Sequence, residues 1–121
     1  MDSGDSPRSE AVMGRDYHFH CEHDGCSVTV GVHLGGARAL ELLVDGKEVA
    51  AMDVHGHHAQ LRSLTTVLPT QPPRRIDVQV ALPGPVRGEP ASVLVDNGTE
   101  FPMLEREVPR RARLTEASWY S

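Results

Sequence analysis

Two thiols and an imidazole crowd into six residues, at Cys21, His23 and Cys26. Thiolate sulfur and neutral imidazole nitrogen are the donors of structural zinc, which takes four ligands in a tetrahedron. Asp24-Gly25, between His23 and Cys26, is a two-residue hairpin signal. With a type I′ turn there, Cys26 faces His23 and Val28 faces Cys21. All three donors then share one face, with Cys21 and Cys26 as diagonal neighbours. The fourth ligand would come from His55-Gly56-His57-His58, with His57 as the assigned residue. The plain alternative makes Cys21 a core residue and leaves His23 and Cys26 flanking a turn. Structural zinc normally shows paired Cys-x2-Cys knuckles, and Cys-x4-Cys is not the redox pattern either. The expectation is therefore no cofactor, with zinc at Cys21, His23, Cys26 and His57 as the competing reading.

Three further groups carry chemistry. His18 and His20 are two apart on a strand and project from the opposite face, near His33, where a pair of imidazoles can chelate a surface ion or simply be solvated. The His55–His58 loop, with Asp53 before it, is the candidate for a small enzyme site. No Gly-x-Ser-x-Gly elbow accompanies it, and neither cysteine opens a helix. Pro69-x-x-Pro72 with Arg74-Arg75, and Pro83-x-Pro85 with Arg87, have the spacing of polyproline ligands, although arginines beside prolines are more simply loop charges.

The elements that must position these residues are strands. Asp24-Gly25, Asp45-Gly46 and Asn97-Gly98 each separate two short runs rich in Val and Leu, the pattern of antiparallel hairpins. In the first hairpin, Val28, Val30 and Val32 face Cys21, Phe19 and Tyr17. His18, His20 and Glu22 fall on the other face, and a one-residue slip would destroy this agreement. In the second, Leu40, Leu42 and Val44 share a face with Val49 and Ala51, and Leu43, Met52 and Val54 lie on the other with Glu41 and Glu48; apolar residues on both faces suggest a central position or a covered face. Ile76, Val78, Val80 and Leu82 alternate cleanly. Pro102 marks the last strand, Thr99–Leu104, as an edge. A faint echo links Val28 through Asp45-Gly46 to Val78 through Asn97-Gly98, as any Val-rich β chain can produce.

These features predict one all-β domain over residues 17–104: an antiparallel β-sandwich or partly open barrel of seven to eight strands built from successive hairpins. A disordered N-terminal tail (1–16) and a charged, flexible C-terminal tail (105–121) flank it. The competing architecture is α+β, with a short helix over 57–68.

Composition bounds the function. The chain has 121 residues and a net charge of −5, which disfavours a phosphate backbone as partner and hence nucleic acid. No apolar run approaches a membrane span, and the acidic N-terminus does not read as a secretory signal. A cytoplasmic chain follows, with reduced cysteines. Its bias towards Arg over Lys suggests a high-GC bacterial source. The function expected is a non-catalytic protein-interaction module that binds another protein through loops, edge strands or the tail ending in Trp119-Tyr120. A zinc-stapled domain and a small enzyme are the alternatives.

Overall fold

Three turns set the geometry of the computed structural model, which describes residues 16–85 and 88–106. The expected tails lie outside these residues, apart from Asp16, Glu105 and Arg106. Asp24 and Gly25 have φ of 54° and 80°, Asp45 and Gly46 have 53° and 83°, and Asn97 and Gly98 have 54° and 82°. Positive φ at both central residues defines the type I′ turn, whose twist matches that of the flanking strands. Asp and Asn tolerate that region, and Gly enters it without steric penalty.

β1 (Asp16–His23) and β2 (Cys26–His33) pair in the expected register, with His23 against Cys26, Cys21 against Val28 and Phe19 against Val30. β3 (Arg38–Val44) and β4 (Lys47–Val54) complete a meander. β5 (Gln60–Leu68), β6 (Arg74–Leu82), β7 (Ala91–Asp96) and β8 (Thr99–Pro102) form a second one, and β9 (Leu104–Glu105) follows. The sheets are β4-β3-β2-β1-β9 and β5-β6-β7-β8, antiparallel throughout. They stack as a sandwich, and the two echoed segments occupy β2–β3 and β6–β7. Val28, Val30, Leu40 and Leu42 meet Ile76, Val78, Val80 and Leu94 in a shared core, each at most 1 % exposed. Full burial of such a side chain contributes about 1.5–3 kcal/mol. Among the described residues, no helix is long and apolar enough to cross a membrane.

Two segments depart from the sequence reading, and a third decides between its two architectures. In β4, Leu42 pairs with Ala50 but Leu43 pairs with Glu48, so Val49 is an extra residue. One bulged residue inverts the phase of a strand. Ala50, Met52 and Val54 therefore turn inward, not Val49 and Ala51, and Val49 is 42 % exposed. Residues 60–68 form a strand paired with β6 along its length, not the alternative helix. Finally, Thr99–Leu104 is two strands. Pro102 cannot donate a ladder hydrogen bond, and the chain leaves the four-stranded sheet there. Met103 turns into the core, its N–H donating to the Ser92 carbonyl at 3.2 Å. β9 then joins the other sheet beside Phe19 and His20, so β1 is not an open edge at those two residues.

Candidate functional site

The sandwich has two ends. The three I′ turns and the 69–73 connector lie at one. The connections at 34–37, 55–59 and 83–90 lie at the other, with the β strands between them. Cys21, His23 and Cys26 sit at the turn end, and His55, His57 and His58 are exposed at the loop end. An eight-residue strand spans about 26 Å, so His57 is not brought to the other three. Among the described residues, no group of three or more His, Cys, Asp or Glu side chains is gathered so as to hold a metal ion.

At the turn end, His23 points between the sheets and meets a residue that the sequence did not single out. His23 Nε2 lies 2.7 Å from Asp96 Oδ2, and Arg74 Nε donates to the same oxygen. The Asp24 carboxylate lies 3.7 Å from Arg74, and the Phe101 ring packs 4.6 Å from the imidazole. Asp96 ends β7 on its inward face and is 7 % exposed. A buried carboxylate needs such partners. Hydrogen bonds from His23, then Arg74, hold its pKa below the ordinary carboxylate value, and Asp96 in turn raises that of Arg74. Arg74 is thus a structural ion partner at the start of β6 and not a loop charge. Both thiols are pushed up, Cys21 by burial and then Glu22, Cys26 by burial and then Asp45, Asp24 and Glu22. They remain protonated at neutral pH, the form that is not the nucleophile.

At the loop end, Arg38 is the residue that sequence patterning missed. It is 4 % exposed, and its guanidinium donates to the carbonyls of His58 (3.1 Å) and Pro83 (2.8 Å). Gln60 donates to the His55 carbonyl at 3.2 Å. These bonds fix the backbone of the histidine loop and leave its rings exposed. The two clefts described, about 470 Å³ beside Arg74 and Asp96 and about 360 Å³ between Val49 and Val67, are not lined by these histidines.

The outer faces of the two sheets differ. On the five-stranded sheet, cross-strand rows read Asp53–Ala39–His33–Asp16, Ala51–Glu41–Gly31–His18, and Glu48–Leu43–Thr29–His20, with Ser27–Glu22 below. Those rows hold five carboxylates and three imidazoles, without Lys or Arg. His33 lies 3.1 Å from Asp16 and 3.5 Å from Glu41, and His20 lies 2.9 Å from Glu22 and 3.1 Å from Thr29. The Glu41 side chain occupies the space over Gly31, where a Cβ would come within 2.9 Å of its carboxylate. His18 and His33 meet edge to face at 6.4 Å.

On the four-stranded sheet the rows read Leu61–Ala81–Ala91, Ser63–Gln79–Val93–Pro102, Thr65–Asp77–Val95–Glu100 and Val67–Arg75. Three charges are spread through this face, and Asp77 accepts a hydrogen bond from Thr65 Oγ1 at 2.6 Å. One of its two margins is β5, whose outer edge pairs with no strand among the described residues. No family model, curated protein or solved structure matches the chain.

Proposed function

We propose that the chain is a non-catalytic protein-interaction domain whose docking element is the outer edge of β5 with the rows beside it. The observation that carries this reading is the exposure of Leu61 (61 %) and Val67 (57 %) near the two ends of that strand. β5 contains no proline and one charge, Arg62. An edge strand offers main-chain donors and acceptors for strand addition, and side chains at alternate positions supply selectivity. The acidic balance of the chain favours a protein over nucleic acid as the partner. The free thiols of Cys21 and Cys26 suit a reducing, cytoplasmic setting.

The test is the double variant L61E/V67E, which changes two solvent-facing positions and leaves the core intact. A protein captured on the wild-type chain, identified and rebound in pure form, should lose at least tenfold in affinity for the variant at unchanged Tm. Equal affinity for both chains would remove β5 as the docking element.

A further inference from the structure

We infer that the strand accepted at the β5 edge is β5 of a second copy of this chain, which deepens the reading above and rests on it. Residues 60–68 centre on Leu64. Antiparallel pairing about a two-fold axis at Leu64 places Leu61 opposite Val67 of the second copy, Ser63 opposite Thr65, and Arg62 opposite Thr66. Leu61, Ser63, Thr65 and Val67 all lie on the outer face. The two most exposed apolar side chains of the edge therefore cover each other twice. The row Ala91–Ala81–Leu61 continues into Val67 and Arg75 of the second copy. Arg62, the only charge in the strand, meets a neutral hydroxyl, and the two Arg62 residues stand four positions apart, about 13 Å along the strand.

Charge selects this edge over β4, the margin of the other sheet on the same side of the sandwich. The same operation on β4, centred at Ala51 with Val49 left out as the extra residue, sets Glu48 directly against Asp53 of the second copy, twice. Like charges in that position oppose pairing, and the bulge at Val49 interrupts the edge as well. The β5 contact is isologous, so it closes at two copies and joins two four-stranded sheets into one of eight strands. Two nine-residue edges bury less than the ~1,200–2,000 Å² of a standard interface, so the dimer dissociates on dilution.

Sedimentation of the full chain from about 1 μM to about 1 mM reads the outcome. Wild type should show a reversible monomer–dimer equilibrium. L61E/V67E sets glutamate against glutamate and should remain monomeric. L61E/V67K sets glutamate against lysine and should regain the dimer, at a Tm equal to that of L61E/V67E when both are dilute enough to be monomeric. A wild-type chain that stays monomeric throughout overturns self-pairing while leaving a foreign partner at β5 open to the capture experiment. If both variants dimerise, the dimer uses another surface. If neither does while wild type dimerises, the two-fold register at Leu64 is wrong.

Discussion

The inner faces of the two sheets are interchangeable in kind, and the outer faces are not. Inside, both sheets present Val, Leu and Ile at period two, because either sheet is stable only if it buries one face. Outside, the five-stranded sheet carries acids and histidines in nearly every row, with His20, Glu22, His33, Asp16 and Glu41 paired among themselves. The four-stranded sheet carries Leu61, Ala81, Ala91, Val93, Val95 and Val67 in the corresponding positions. Folding needs only that the outer faces tolerate water. A polar exterior meets that need on one sheet, and the less polar exterior of the other is the one that the proposed strand addition at β5 would use.

The largest effect should come from breaking the part the faces share. Leu42→Ala beneath the acidic face and Leu94→Ala beneath the apolar face each remove a side chain with 0 % exposure. Each should lower stability by about 2–5 kcal/mol in denaturant titrations. A loss well below that range at Leu94 alone would mean that the four-stranded sheet packs loosely and that its apolar exterior compensates for a poor interior.

The next effect belongs to the turn end, where charge is buried between the faces. Asp96 has a folded pKa below its unfolded value near 3.8. A depressed carboxylate contributes stability that is present above the unfolded pKa and is lost as pH falls through the folded one. Asp96→Asn should therefore lower Tm by a constant amount at neutral pH, and the gap to wild type should close below about pH 3.8. A gap that persists undiminished at pH 2 would show that shape, not ionisation, is what Asp96 supplies to His23 and Arg74.

The contrast between these two sites marks what the sequence made legible. Asp-Gly and Asn-Gly turns, with alternation on both sides, specify the β1–β2 register residue by residue, because a slip would expose Val28, Val30 and Val32. The bulge at Val49 carries no such signature, since Val49, Ala50 and Ala51 are all apolar and either phase looks acceptable until β3 is in place. The split at Met103 was hidden in the same way: Pro102 announced an edge, but not the transfer of the chain to the other sheet. At the candidate sites, proximity along the chain misled. Cys21, His23 and Cys26 share the turn end of one hairpin, yet His23 is hydrogen-bonded to Asp96, seventy-three residues away, and the histidine loop sits at the far end. Asp96 reads in sequence as the residue before a turn, and Arg38 carries no signal there, because only tertiary packing reveals which charges are buried.

The smallest change in stability, and the sharpest use of the comparison, is at the edges. β4 and β5 are the two open margins on the same side of the sandwich, and Glu48 and Asp53 are exposed charges on the guarded one. Replacing both with threonine suits a strand and should alter monomer stability by no more than about 0.5 kcal/mol. It removes the facing carboxylates that oppose β4 self-pairing. A copy seated on β5 stands in front of β4 as well, because the two margins lie on one side, so a single two-fold contact carries both edges and still closes at two copies. Sedimentation of E48T/D53T should show a tighter dimer than wild type. Adding L61E/V67E to that variant should weaken the dimer again, leaving it to β4 alone. If E48T/D53T dimerises no more tightly than wild type, the bulge at Val49 is sufficient to guard the edge, and the acids of the five-stranded sheet owe their place to something other than protection against pairing.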